Sequence, residues 1–99
     1  MGTLPYIQIS AENGEPVPED VRRVIAALLG TRRGEMETDR AYGIAWDALD
    51  KPVPEAMRMI TLDVVMQIPK YETRCRVVRV DFDAEDARGI LGVKVVIEV

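Results

Sequence analysis

Carboxylates are the most frequent side chains in this sequence that could carry out chemistry, and their densest group lies near the C-terminus. Asp81, Asp83, Glu85 and Asp86 lie close together, and carboxylates can bind calcium or act as acids and bases. The first two match the start of a calcium-binding loop. Asp86, however, stands where that loop requires glycine, and Gly92 stands where it requires a bidentate glutamate. We therefore expect a solvated turn here and no metal site.

Other catalytic arrangements are excluded by what the sequence lacks. There is no histidine, which removes the commonest general base, the commonest zinc ligand and the usual partner of a serine or cysteine nucleophile. No acidic pair lies in an apolar stretch that would raise a carboxyl pKa for acid catalysis. Cys75 is single and lies among strand-forming residues, so we interpret it as a core residue. We expect no enzyme activity, no cofactor and no small-molecule substrate.

Composition and charge narrow the class of protein further. The chain has 99 residues, is 47% hydrophobic and 30% charged, and carries a net charge of −4. This balance is typical of one globular domain, which we predict for residues 1–99. An acidic chain lacks the positive surface that attracts nucleic acids and anionic membranes, so we expect neither as a partner. The N-terminal residues do not match a signal peptide and no apolar stretch would span a bilayer, so we predict a cytoplasmic location.

Two polar segments have residue types that occur at protein interfaces. Lys70–Arg76 places an aromatic residue, Glu72 and Arg74 close together where a helix should meet a strand. Tyrosine and arginine are favoured at interfaces, although a Glu72–Arg74 pair could also simply stabilise the corner. Arg32 and Arg33, followed by Glu35, form a second charged cluster, for which a solvated surface and an interaction site are equally consistent with the sequence.

The first half of the chain must position these segments. Residues 1–17 are predicted to form a short strand or an extended arm. The next stretch predicts a helix, because apolar residues fall on one face at positions 21, 24, 25, 28 and 29. Pro18 suits its first turn, and Gly30 can end it in the left-handed conformation. Thr31–Arg40 is predicted to be a loop or short strand, and Tyr42–Leu49 a short helix.

The second half contains a longer helix and two strands. Glu55–Ile68 predicts a helix with a broad apolar arc, which Pro69 should end. Its methionines favour core packing over an adaptable binding surface. Apolar residues then alternate with polar ones in two stretches, with a predicted bulge or double-sided burial near Cys75 and a turn at Ala84–Gly89. The alternating apolar residues of these two stretches are Val78, Val80 and Phe82, and then Val93, Val95, Ile97 and Val99.

This order of elements predicts an α+β fold. Helices that precede strands in a short chain favour two to three helices packed on one face of a small antiparallel sheet. The last two strands are close in sequence, so they should form a C-terminal β-hairpin.

Three short motifs in a fixed order resemble a known family. Thr31–Glu35 (TRRGE) follows the first helix, Tyr42-Gly43 comes next, and Tyr71–Arg74 (YETR) precedes the hairpin. This pattern is similar to the gene-25-like, or W-like, baseplate wedge family of contractile-tail phages, to which the wedge subunit of type VI secretion baseplates also belongs. The resemblance covers roughly residues 21–99. Thr73 stands where the family usually has proline.

The resemblance implies a structural role in a six-fold baseplate of a phage tail or injection system. Such a subunit binds other wedge proteins and starts assembly of the tail sheath, and it is expected to be incorporated into the tail while being monomeric alone. The resemblance makes the corner motif and the loop motif the expected partner-binding residues: Glu72, Thr73 and Arg74, with Arg32, Arg33 and Glu35.

The last strand offers a mechanism for sheath initiation. If Val93, Val95 and Ile97 lie on a strand at the sheet edge, its unpaired backbone groups can receive a strand of the sheath protein. The alternative is that this strand lies in the sheet centre. A different class of function also remains open, namely a small cytoplasmic adaptor or regulatory domain that binds one protein partner.

Overall fold

The small sheet is built from one strand before the helices and two strands after them. The computed structural model describes residues 4–83 and 90–99. The elements are β1 (Tyr6–Ala11), α1 (Glu19–Leu29), a 3₁₀ helix (Trp46–Asp50), α2 (Val53–Tyr71), β2 (Arg76–Asp83) and β3 (Gly92–Glu98). This architecture confirms the α+β class, and of the two forms expected for the N-terminal segment it contains the strand. The predicted turn Ala84–Gly89 lies outside the described residues.

The three strands form one sheet in the order β1–β3–β2. β3 runs antiparallel to β2, as the predicted C-terminal hairpin requires, but parallel to β1. Parallel neighbours need a long connection, and the chain between β1 and β3 provides one that contains both helices and β2. The sheet is therefore mixed, whereas the sequence analysis predicted an antiparallel sheet.

β3 lies at the centre of the sheet, which is the second of the two alternatives left open by the sequence, and this position corrects the partner-binding role expected for its residues. Val93, Val95 and Ile97 are at most 1% exposed, and β3 is paired along both of its sides. β3 is the most deeply buried strand, because the centre of the sheet removes its valine and isoleucine side chains from water. These three residues therefore cannot receive a strand from another protein, and the edges of the described sheet are β1 and β2.

The predicted irregularity in β2 is a β-bulge. Val77 lies opposite Ile97, while Arg79 lies opposite the next residue of β3, Val96. Val78 is therefore an extra residue in β2. A bulge of this kind twists and bends the strand locally and disturbs its free edge.

Helix α1 buries most of the apolar face that its sequence predicted: Val21, Ile25, Leu28 and Leu29 are buried, whereas Val24 is half-buried. Pro18 immediately precedes the helix, and Gly30 follows it. The amide of Gly30 donates a hydrogen bond to the carbonyl of Ala26. Gly30 has a φ of −81°, so the helix ends where expected but without the left-handed conformation.

Helix α2 buries a single row of residues, Ala56, Ile60, Val64 and Ile68, and continues past the predicted end to Tyr71. Pro69 therefore lies inside the helix, in its last turn, where its missing N–H removes one backbone hydrogen bond without ending the helix. The ring of Tyr71 also packs edge-on against Tyr42, with 5.0 Å between ring centroids. Met59 and Met66 are exposed, so the expectation that they pack in the core is wrong.

The core lies between the sheet and the layer formed by the two helices and the 3₁₀ helix. The predicted short helix is present as the 3₁₀ helix, which begins at Trp46. The indole Nε1 of Trp46 donates a 2.8 Å hydrogen bond to the carbonyl of Leu29, the last residue of α1. This bond satisfies one carbonyl at the helix end. Within the described residues, no helix is long and apolar enough to cross a membrane.

Two adjacent valines of α2 test the assignment of its faces. Val64 is fully buried, whereas Val65 is 39% exposed. We expect Val64→Ala to lower the free energy of unfolding by about 2 kcal/mol, because it removes buried methyl groups and leaves a cavity. Val65→Ala should change it by less than about 0.5 kcal/mol. Urea unfolding of both variants measures the difference, and equal losses would contradict the helix orientation.

Candidate functional site

The corner between α2 and β2 is held by a fork of hydrogen bonds from Arg74 to Glu72. The guanidinium Nε and Nη2 of Arg74 each lie 2.7 Å from a different carboxylate oxygen of Glu72. The backbone amide of Arg74 also donates to this carboxylate at 3.1 Å. Glu72 is only 4% exposed, so its charge is stabilised by Arg74 rather than by water.

Arg74 also reaches the first turn of α1. Its Nη1 lies 2.5 Å from Oδ2 of Asp20, which is close to the N-terminus of that helix. The side chain of Arg74 is 53% exposed and that of Asp20 is 62% exposed. The triad Asp20–Glu72–Arg74, hereafter the corner triad, therefore ties the start of α1 to the end of α2.

These contacts change the acidity of both carboxylates. The hydrogen bonds from Arg74 hold the pKa of Glu72 below its ordinary value, against the opposing effect of burial. The hydrogen bond from Arg74 likewise lowers the pKa of Asp20, and both carboxylates raise the pKa of Arg74. The triad is therefore a charged structural cluster at neutral pH and offers no poised acid or base.

The triad refines what the sequence predicted for this segment. The expected pair Glu72–Arg74 is present, but the carboxylate of Glu72 faces its own chain. The accessible groups are Thr73, which is exposed, and the outer part of Arg74. Asp20 was not predicted as a member. Its position in the first turn of α1 is explained by the helix dipole alone, and no spacing in the sequence indicates a contact with residue 74.

The loop motif forms a backbone clasp around Gly43. The amide of Ile44 donates to the carbonyl of Thr31 at 2.9 Å, and the amide of Arg33 donates to the carbonyl of Ile44 at 2.9 Å. Gly43 has a φ of +108°, and a Cβ at this position would lie 2.7 Å from the carbonyl oxygen of Thr31. Only glycine allows the two segments to approach this closely.

The charged side chains of the loop motif mostly bind within the chain. Arg33 pairs with Asp63 of α2, and the other oxygen of Asp63 accepts the amide of Ala45 at 2.9 Å. Arg32 pairs with Asp47 at 3.0 Å, and its side chain is only 16% exposed. The exposed Glu35 accepts the backbone amide of Arg32 at 3.3 Å. The motif residues therefore shape the loop and position it on α2.

The loop motif and the corner triad are separate regions. Asp63, which holds the loop, and Glu72, which holds the corner, are about 13 Å apart along the axis of α2. The structure therefore does not gather the predicted partner-binding residues into one pocket. In the described residues no group of three or more acidic, histidine or cysteine side chains could hold a metal ion.

The free edge of β1 is a feature that the sequence analysis did not identify. The amides of Tyr6 and Glu12 donate to carbonyls of β3 or of the residue before it. Because amides along a strand alternate in direction, those of Ile7, Ile9 and Ala11 point away from β3. The strand has no charged residue and no proline, and its pairing with β3 is regular.

A groove runs along this edge between β1 and α1. One part has a volume of about 530 Å³ and is lined by most of β1, by Arg22, Ala26 and Gly30 on the side of α1, and by Lys94 of β3. A second part of about 420 Å³ continues it past Ala11 toward Val17. The small residues Ala26 and Gly30 leave space beside the strand. The groove therefore gives an extended peptide access to the unpaired backbone groups.

The opposite edge of the sheet is less suited to strand addition. β2 contains the bulge at Val78, and its charged residues are Arg76, Arg79, Asp81 and Asp83. Bulges and charges are features by which proteins prevent pairing at a sheet edge. The two edges therefore differ, and β1 is the more favourable template.

We expect the ionisation of Glu72 to make the free energy of unfolding depend on pH in the acidic range. Its pKa is lowered in the folded chain, so its contribution is complete above the ordinary glutamate pKa of about 4.3 and is lost as pH falls through the folded pKa. Glu72→Gln should therefore flatten the loss of stability below about pH 4.3. Melting temperatures from pH 3 to 7 measure this, with Glu37→Gln on the exposed loop as control. Identical acid profiles for wild type and Glu72→Gln would contradict the assignment.

The clasp can be tested with two glycines of the same loop region. Both Gly34 and Gly43 have positive φ, but a Cβ at Gly34 would meet nothing within 4 Å. Gly34→Ala should cost about 1–2 kcal/mol for the backbone conformation alone. Gly43→Ala should cost about 1–3 kcal/mol more, because the methyl group collides with the backbone of residues 31–33. Chemical unfolding measures both, and a smaller loss for Gly43→Ala would refute the clasp.

Comparison with known proteins identifies the family of this chain. A family model described as "Baseplate wedge protein gp25" matches residues 16–99. The match includes both helices, the loop motif, the corner triad and the hairpin, but not β1. Searches of curated proteins and of solved structures found no significant match. The matched region agrees with the resemblance carried by the TRRGE, YG and YETR motifs, and the chain belongs to the gp25 baseplate wedge protein family.

Proposed function

We propose that this chain is a baseplate wedge subunit that starts sheath assembly by receiving a strand of the tail sheath protein along β1. Membership of the family supports a structural role in a phage-type baseplate. The partners proposed are the sheath protein at the β1 edge and other wedge proteins elsewhere, within a six-fold assembly. The observation that carries the sheath contact is the open β1 edge.

Strand addition at β1 is supported by backbone chemistry. An incoming strand would satisfy the outward amides of Ile7, Ile9 and Ala11 and the carbonyls of the same residues. It would lie in the groove between β1 and α1, where Ala26 and Gly30 leave room for its side chains. Backbone pairing gives affinity with little dependence on sequence, and the groove supplies the side-chain selection.

The direction of assembly follows from the difference between the two sheet edges. Of the two edge strands of the described sheet, only β1 is regular and has no charged residue of its own, so a sheath strand has one favourable place to add. The bulged, charged edge of β2 discourages a second addition. A subunit with one active edge starts a sheath on one side and does not polymerise by itself.

The corner triad and the loop motif support the contact with other wedge proteins. Thr73 and Arg74 form an exposed corner whose backbone is fixed by Glu72. Arg33 and Glu35 lie on a loop that the clasp and Asp63 hold in place. Fixed polar groups lose little conformational freedom when a partner binds. Both regions therefore present pre-organised charges to wedge partners.

Substitutions at Ile9 test strand addition at β1. Ile9→Ala removes side-chain packing but keeps the outward N–H, whereas Ile9→Pro removes that N–H and places a ring on the free edge. Each variant is to be introduced into tail-producing cells in place of the wild-type chain, and sheath formation counted by electron microscopy. We expect sheathed tails with Ile9→Ala and at least about tenfold fewer with Ile9→Pro.

Binding measurements with purified proteins complete this test. The sheath protein of the same tail should bind Ile9→Ala and wild type alike and bind Ile9→Pro weakly, while thermal unfolding confirms that both variants are folded. Normal sheaths with folded Ile9→Pro would show that β1 is not the acceptor. Loss of sheaths with both variants at equal stability would assign the effect to side-chain packing instead.

A further inference from the structure

Helix α2 carries an apolar line on the face that points away from the core. Met59, Leu62 and Met66 are 38%, 57% and 63% exposed. Their spacing of three and four residues places them along one side of the helix. We call these three residues the outer stripe. It is distinct from the buried row of Ala56, Ile60, Val64 and Ile68, and no described element covers it.

Opposite charges lie at the two ends of the outer stripe. Glu55 is four residues before Met59, and Lys70 is four residues after Met66. At 3.6 residues per turn, all five residues from Glu55 to Lys70 in this series fall within an arc of about 80°. Neither Glu55 nor Lys70 forms an ion pair with a described residue. The helix face therefore has an acidic end, an apolar middle and a basic end.

The charge pattern of this helix face is complementary to the same face of a second copy placed antiparallel to it. A second helix placed antiparallel, with the two-fold axis between the positions of Leu62 and Asp63, brings Met59 level with Met66 of the second copy. The same operation brings Glu55 level with Lys70 of the second copy, and the two-fold axis repeats both contacts. An isologous dimer requires this property, because one patch must fit itself.

We propose that two copies of this chain associate through the outer stripe of α2 in an antiparallel helix pair. Leu62 lies beside the two-fold axis and packs on its equivalent, with the two methionines on either side. Methionine suits such a contact because its flexible side chain adapts to the facing surface. The two Glu55–Lys70 pairs lie at the rim and set the antiparallel direction.

Neighbouring charges are compatible with the pair. Asp63 lies beside the stripe near the two-fold axis, where two equivalent carboxylates would approach each other. Arg33 of the same chain pairs with Asp63, which reduces their repulsion. Arg58 lies on the other side of the stripe, and antiparallel packing separates the two Arg58 positions by about 13 Å along the helix axis.

The size of the contact sets its strength. α2 has 19 residues and is about 28 Å long, so its outer face covers about 300 Å² per copy. Stable complexes bury about 800 Å² per partner. The dimer is therefore weak and forms only at high concentration, so at low concentration the free chain is the monomer expected from its sequence. The dimer covers the apolar face of the free chain and does not use the β1 edge, so it goes beyond the proposed role in sheath assembly.

Sedimentation velocity of the purified chain tests the dimer. We expect the average mass to rise from 11.1 kDa toward twice that value between about 10 µM and 1 mM. Leu62→Glu should keep the chain monomeric over this range, and circular dichroism confirms its fold. A wild-type chain that stays monomeric at about 1 mM would overturn the proposal, as would a Leu62→Glu dimer of unchanged strength.

A charge exchange tests the antiparallel direction. Glu55→Lys and Lys70→Glu should each weaken dimerisation at least about threefold, since each places like charges together at both ends. The double variant Glu55→Lys/Lys70→Glu should return to within about twofold of wild type, because it restores both pairs in reverse. A double variant no stronger than the single ones would overturn this geometry.

A variant of the β1 edge separates this dimer from the proposed function. Pairing of two β1 edges would also produce a dimer, but Ile9→Pro would abolish it and Leu62→Glu would not. The outer-stripe dimer predicts the opposite result for both variants. Sheath assembly with Leu62→Glu reports on the proposed function separately, because that variant leaves β1 intact.

Discussion

The burial of β3 between β1 and β2 is the constraint on which the rest of the structure depends. Its inward side chains contact the helices, and its backbone groups pair on both sides. A strand with this many valine and isoleucine residues is most stable at the centre of a sheet. Once β3 is central, β1 and β2 become the edges, and their different sequences decide which edge can receive another strand.

Helix α2 connects the core to the polar regions of the surface. Its buried row packs against the sheet and α1, Asp63 holds the loop motif, and Glu72 begins the corner triad. The residues of the family motifs therefore stabilise contacts within the chain itself. Gly43 and Glu72 hold backbone segments in place, and the exposed groups next to them, such as Thr73 and Glu35, are positioned as a result. An assembly protein needs this rigidity, because its partners must find the same surface in every copy.

Local patterns in the sequence predicted the local elements well. The apolar spacing of α1 and most of the alternation in β2 and β3 are present, because they depend on neighbouring residues, and of the two irregularities expected for β2 the structure has the bulge. The alternation fails at Val78, which is the extra residue of the bulge, and at Val99, which is exposed beyond the end of β3. The end of α2 was predicted too early, since the helix includes Pro69 and ends at Tyr71. The packing of Tyr71 on Tyr42 is a tertiary contact that local sequence rules do not report. Pairing of β1 with β3 joins the two ends of the chain, and nothing in a short window of sequence reports such a contact.

The candidate site shows the same division between local and distant information. The Glu72–Arg74 pair is visible in the sequence because its members are two residues apart, whereas Asp20 joins it only through the fold. The arginines of the loop motif were open to two interpretations, and their partners Asp47 and Asp63 are distant in sequence. The position of the last strand was left undecided for the same reason, since strand order depends on the whole sheet.

Residue-specific amide hydrogen exchange measured by NMR tests the strand arrangement most directly. We expect slow exchange for the backbone amides of Gln8 and Ser10, which point toward β3, and for the backbone amides of β3 itself. Ile7, Ile9 and Ala11 should exchange fast in the free chain, because their amides point away from β3 toward the free edge of the sheet. Protection of all β1 amides in the free chain, or fast exchange along β3, would contradict a central β3 with an open β1 edge.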